Sequence, residues 1–272
     1  MVGKLIKHEF RATARVMLLI YAAVAASAVL ANLSIRMMDV TENSFLRAAF
    51  VLMIVLFVIC VAAAVVITVV VMIMRFYRSL LKEQGYLMHT LPVSVHGHIW
   101  SKLIVSLVWF ASTFVFLGLL GMATVLIQSG TRLGDLIAEI PLREILQAMR
   151  EYGLWGSATV LGLEMLAGAI LSCLVVCLHC YAAMSLGQMF SKNQILLSIV
   201  FYIAINIAFS ILMTGAGSVI VKGIEAYEPV TMGDTMTFIH RVGGWAILTQ
   251  LVQGTLLYAG TFLPLKNKLN LA

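Results

Sequence analysis

The residue most able to do chemistry in this sequence is a carboxylate set inside apolar chain. Glu164 lies within the run from Gly156 to about Leu186, toward the end where that run begins. An ionisable group in hydrocarbon is costly, so it must face a bundle interior, a water-filled cavity or a partner. Two roles fit. Glu164 can line a pathway and meet a cationic substrate or a proton, or it can be a protonated packing residue near the interface. Its shallow position favours packing. Cys173, Cys177, His179 and Cys180 crowd the same run. The three cysteines share a helix face, while His179 points well away from Cys177. A metal or haem site needs its ligands to converge at bonding distance. Packing of small polarizable side chains is therefore the favoured reading, and no metal site is assigned. No His/Asp/Glu cluster recurs at the mouth of any span pair, which leaves a membrane enzyme the least favoured class. The phosphate-cradling G-x-x-x-x-G-K-[S/T] loop is missing too: Gly3-Lys4 is followed by Leu5 and lacks the upstream glycine. The chain is not expected to hydrolyse ATP or to hold a cofactor of its own.

The elements that position Glu164 follow from composition. Hydrophobic residues make up 62% of the 272 and charged ones 11%, with a mean hydropathy of +1.03. A soluble domain carries roughly a quarter charged residues, so the solvent around most of this chain must be lipid. The net charge of +6 does not point to nucleic acid, because the basic residues sit at the ends of apolar runs rather than in one patch with aromatics. All four cysteines, Cys60 included, fall inside apolar runs, so no disulfide framework is indicated.

Crossing hydrocarbon takes roughly 20 apolar residues in a helix. Six stretches qualify: 16–35, 48–74, 103–127, 156–186, 195–221 and 244–263. The expected fold is therefore an all-α membrane protein, a single transmembrane domain over 1–272 with six transmembrane helices. Lys4, Lys7, Arg11 and Arg15 before the first span resemble the n-region of a signal peptide, but the apolar run continues to about Ile35, a span's length, and cleavage is not expected. With both termini cytoplasmic, the inner segments hold eleven basic residues against two acids, Glu9 and Glu83. The outer segments hold seven against nine. That is the positive-inside bias.

Between the spans, Leu5, Ile6 and Phe10 share a helix face ahead of the first one. They suggest either a short amphipathic N-terminal helix at the inner interface or a plain basic anchor. After the second span, Phe76 and Leu80, with Tyr77 and Leu81, form an apolar face opposite Arg75, Arg78, Lys82 and Glu83. Gly85 stands where such a helix would end, and Tyr86 can fold back over its last turn. A short helix of this kind can dock on a soluble partner or serve as a solvated linker. Pro92 then breaks the chain, Ser94 can cap a new helix, and Lys102 can snorkel to the headgroups. Gly118, Gly121, Ala158, Gly162 and Gly254 could allow close helix approach. The apolar residues Leu136, Ile137, Ile140, Ile145, Leu146 and Met149 suggest an amphipathic outer helix.

The run Gly85-Tyr-Leu-Met-His-Thr-Leu-Pro-Val-Ser94, followed by Ile99-Trp-Ser-Lys-Leu-Ile104 and Trp109, resembles the membrane subunits of type-2 ABC exporters, the ABC-2 permeases. Lys4-Leu-Ile-Lys-His-Glu-Phe-Arg11 and Lys266-Asn-Lys-Leu-Asn-Leu271 are similar to the ends of small bacterial six-span members. Family members often carry two acids before the loop glycine, where this chain has Glu83-Gln84. The resemblance implies a cytoplasmic coupling helix from Arg75 to Tyr86, and residues 1–15 as a connecting helix. It implies short re-entrant helices within 222–243. It also implies a bacterial cell membrane location and a cytoplasmic ABC ATPase in paired copies that carries the ATP and magnesium. The second permease subunit would be a homodimer mate or a paralogue. The expected ATPase-coupling residues are Arg75, Phe76, Arg78, Lys82, Glu83, Gly85, Tyr86 and Pro92, with Glu164 as a pathway residue. The substrate is not implied. Two other readings remain: an ion- or proton-coupled secondary transporter centred on Glu164, and a non-transporting scaffold or sensor. The first would show inverted repeats and broken helices, neither of which is evident in the sequence.

Overall fold

The computed structural model describes residues 2–38, 40–81, 94–130, 134, 141–190, 192–225 and 232–267. Among them every regular element is helical: α1 (Val2–Met38), α2 (Ser44–Phe76), α3 (Val95–Ser129), α4 (Leu142–Glu151), α5 (Trp155–Gly187), α6 (Gln194–Glu225) and α7 (Met232–Asn267). All but α4 are long and apolar enough to cross a membrane. A π-helical turn, Tyr77–Leu81, continues α2.

Local chemistry sets several of the ends. The Phe45 amide donates to Asn43 Oδ1 at 2.9 Å, capping α2. The Gly97 amide donates to Ser94 Oγ at 3.3 Å, so Ser94 does cap α3. Between α4 and α5 the chain turns through Gly153 at φ +65°. There the Leu154 amide reaches back to the Met149 carbonyl at 2.8 Å, closing the helix with the left-handed glycine that this turn requires.

The helices overrun the spans read from the sequence. At roughly 1.5 Å per residue, the 37 residues of α1 measure about 55 Å against a hydrocarbon thickness of about 30 Å. No separate amphipathic helix precedes the first span: residues 2–15 are the opening turns of α1. Nothing between Arg11 and Leu18 breaks the backbone ladder, and Thr13 returns its hydroxyl to the Glu9 carbonyl at 3.1 Å. In the same way, described residues on both sides of 226–231 extend α6 and α7 rather than forming re-entrant helices. An amphipathic helix exists between α3 and α5 as the ten-residue α4, carrying Ile145, Leu146 and Met149. Leu136, Ile137 and Ile140 lie outside the described residues.

The chain forms two compact units, residues 1–75 with 104–142, and residues 76–103 with 143–272. In the first unit, α1 and α3 run in the same direction. Trp109 Nε1 donates to Thr13 Oγ1 at 2.8 Å. The Tyr21 hydroxyl meets Ser112 and Thr113 at 2.8 Å each, Gln128 donates to Asn32 Oδ1 at 2.9 Å, and Arg36 donates to the Ile127 carbonyl at 2.8 Å. The opposing α2 brings Met72 into a buried cluster with Met17, Val105 and Trp109. It also sets Thr68 3.4 Å from Thr113. Lipid tails are as apolar as leucine, so hydrophobicity alone cannot hold spans together; this ladder of polar and aromatic contacts sets their register. Close glycine contacts do not: a Cβ at Gly118 or Gly121 would meet no atom within 4 Å, nor would one at Gly162 in the second unit. Gly254 there does come close to a neighbour, since a Cβ on it would stand 3.6 Å from Val175.

In the second unit, α5 and α7 are parallel and joined along their length. Gln250 donates to Ser172 Oγ at 2.9 Å, Gln253 lies 3.2 Å from His179 Nε2, and Gly260 approaches Ala182. The opposing α6 returns through Asn193, at φ 55°, and packs at its start on Gly187. The first turns of α3 oppose α7, with His96 Nδ1 2.6 Å from the Tyr258 hydroxyl. Within each unit, direction alternates with order along the chain.

Candidate functional site

The turn after α2 is where the sequence concentrates the residues expected to couple to an ATPase. Arg75, at the end of α2, donates from Nε to Glu9 Oε2 at 2.6 Å. Glu9 is 1% exposed. A carboxylate so far from water needs a cation and hydrogen bonds around it, and both Glu9 and Arg75 have further contacts. The aromatic pair Phe10 and Trp109 stacks nearby, with centroids 4.7 Å apart. All of these residues belong to the first unit.

Phe76, the next residue, belongs to the second. It is fully buried and stacks on Tyr181, with centroids 3.9 Å apart and planes 9° from parallel. Ser79, Leu80 and Leu81 are buried as well. The apolar face of this turn is therefore spent inside the chain, and of the described residues expected to couple only Arg78 is left exposed. Phe76 is an anchor for the turn rather than a surface group. Lys82, Glu83, Gly85, Tyr86 and Pro92 lie outside the described residues. Lys102, expected to snorkel to headgroups, is 4% exposed and held by contacts within the protein.

The other assembly is intramembrane and lies wholly in the second unit. His240 Nδ1 and Glu164 Oε2 are 2.9 Å apart, and each side chain is about four-fifths buried. Gly243, one turn on from His240, makes room for the carboxylate, since a Cβ there would stand 3.2 Å from Oε2. Glu164 lines a cavity of about 370 Å³ between α5 and α7. A second cavity of about 460 Å³ is lined by His96, Trp100 and Tyr258 toward the other end of α7, and Gln250 lines both. Cys60, Cys173, Cys177 and Cys180 are free thiols. Among the described residues no three metal-ligating side chains come together.

Sequence reasoning found Glu164 and Arg75 but neither partner. Glu9 was visible only as one of two inner acids, and His240 as a polar residue in an outer loop. No sequence signal marks the second pair: the sixth apolar run begins at 244, beyond His240, and only the observed start of α7 at Met232 puts the two residues nine or ten positions into their helices, at matching depth. Compared with protein-family models, curated proteins and solved structures, the chain matches none of them.

Proposed function

We propose that this chain is the membrane-spanning permease of an ATP-driven exporter of the type-2 ABC kind, worked by a separate cytoplasmic ATPase. The observation that carries this reading is the junction at Arg75 and Phe76. Two consecutive residues are locked into different units, one by an ion pair to a buried acid and the other by a buried aromatic stack. Exposed Arg78 stands just beyond them, open to a partner, and each unit has its own anchor at the root of that turn.

An even number of crossings puts both termini on one side, and the eleven basic residues of the inner segments make that side the cytoplasm. A second permease copy completes the path, and the ATPase pair holds the nucleotide and magnesium. The membrane is a bacterial cell membrane on this reading. The test is co-purification from native membranes. Arg78→Glu combined with Glu83→Lys should lower the co-purifying ATPase activity roughly tenfold or more, since like charges brought together at an interface cost several kcal/mol. Unchanged association would remove the coupling role from this turn.

The Glu164–His240 pair favours a second reading, a proton- or ion-coupled transporter. Under it, transport persists without ATP and is lost in Glu164→Gln. A scaffold or sensor would move no solute and be indifferent to both substitutions.

A further inference from the structure

We infer that the cavity between α5 and α7 binds an amphipathic organic cation, with its ammonium group on Glu164 and its apolar body among the surrounding side chains. The walls hold Leu161, Met165, Ile239 and Val242, the aromatic ring of Phe238, and a single acidic group, Glu164. The volume of about 370 Å³ falls in the range of small-molecule sites. His240 does not line the cavity; it holds the carboxylate from behind at 2.9 Å. The imidazole contact at Nδ1 fixes the orientation of Glu164 while Gly243 and the cavity leave the carboxylate open on its other side. A carboxylate in a recess whose other walls are apolar except for the amide of Gln250 selects a cation, and a ring at its edge adds a cation–π contact.

Depth supports the same ligand class. Glu164 lies nine residues beyond the first residue of α5, about 13 Å along a helix of about 50 Å. With about 30 Å of that length in hydrocarbon, the carboxylate sits within one turn of the boundary. His240 lies at the same level on α7. A headgroup can reach this depth from the interface while its tail stays in apolar surroundings. A fully hydrophilic cation would have to leave water with nothing to cover its remaining surface.

The inference rests on the permease reading only in making the bound cation a cargo; binding itself needs no ATPase. The test therefore uses the purified chain alone, in nanodiscs of phosphatidylcholine, with 4-phenylbutylammonium as probe and 4-phenylbutanol as its uncharged counterpart. Saturable one-to-one binding of the amine and none of the alcohol is expected. Glu164→Gln should weaken the amine at least about tenfold, the size of one charge-assisted contact. Against the risk that this variant misfolds, His240→Arg keeps the carboxylate paired but supplies the cation from within, and it should lose the amine equally. His240→Gln leaves the charge in place and should retain binding. Competition by added phosphatidylethanolamine would assign the same site to a lipid headgroup, and its failure would assign it to a free amine. Equal binding of amine and alcohol, or wild-type affinity in Glu164→Gln, overturns the inference. So does loss of the amine in His240→Gln with full retention in His240→Arg, the pattern of a mere helix clamp. None of these outcomes depends on whether an ATPase associates.

Discussion

Arg75→Gln is expected to destabilise the protein by about 3 kcal/mol, the lower end of the cost of breaking a buried ion pair by removing one partner. The lower end applies because Arg75 retains 23% exposure and Glu9 keeps other contacts. What makes the loss large is the partner left behind: a carboxylate 1% exposed, without the guanidinium that held it. Glu9→Gln should cost less, because a neutral amide oxygen still accepts from Nε and the charge left without its counter-ion, on Arg75, keeps 23% exposure to water. The double variant Glu9→Gln/Arg75→Gln should be less damaged than the sum of the two, with a coupling of about 1–3 kcal/mol. Denaturant unfolding in bicelles measures all three. Additive losses would mean that the 2.6 Å contact contributes nothing. The functional consequence follows from position. Arg75 is the last residue of the first unit's N-terminal segment, so freeing it leaves the turn at Tyr77–Leu81 held by the second unit alone. On the permease account, ATP hydrolysis should then continue while transport falls.

Gly187→Ala should destabilise the protein by about 1–3 kcal/mol. An alanine Cβ there would overlap Ser198 Oγ and stand 2.8 Å from the Ser198 nitrogen and 2.9 Å from the Gln194 carbonyl oxygen. Two of those atoms are backbone at the start of α6, so relief requires the α5–α6 hairpin to open. Gly118→Ala is the control. Its Cβ meets nothing within 4 Å, and replacing a mid-helix glycine by alanine should stabilise by up to about 1 kcal/mol. Thermal unfolding in detergent compares the two. A Gly187→Ala protein as stable as Gly118→Ala would show that the two helices do not meet as described.

These substitutions also mark where the sequence is legible. The six apolar runs locate six helices, because lipid demands a length and a composition that nothing else in the chain imitates. Ser94 after Pro92 likewise locates the start of α3, since a cap is a local interaction. The helix ends elsewhere are not legible. Residues 2–15 and 232–243 carry enough charge and glycine to drop out of a hydropathy reading, yet nothing in them breaks a helix already nucleated by the adjoining span. Close approach is not legible either. Gly118 and Gly121 have helical spacing, but whether a neighbour lies against them depends on how the helices pack. Gly187 gives no local sign that Ser198 will cross it. The same limit applies at the candidate sites. Arg75 and Glu164 stand out as charges at the edges of apolar runs, whereas Glu9 and His240 become their partners only through helix pairing across 66 and 76 residues.

Site-specific crosslinking at position 78 tests the central claim most directly. A photoreactive residue in place of Arg78 should, in intact native membranes, attach the chain to a soluble polypeptide that carries a phosphate-binding loop and hydrolyses ATP, and adding nucleotide should change the yield. Labelling of the same position by a reagent confined to the cell exterior, or ATP-driven transport by the purified chain with no second polypeptide, would contradict the account.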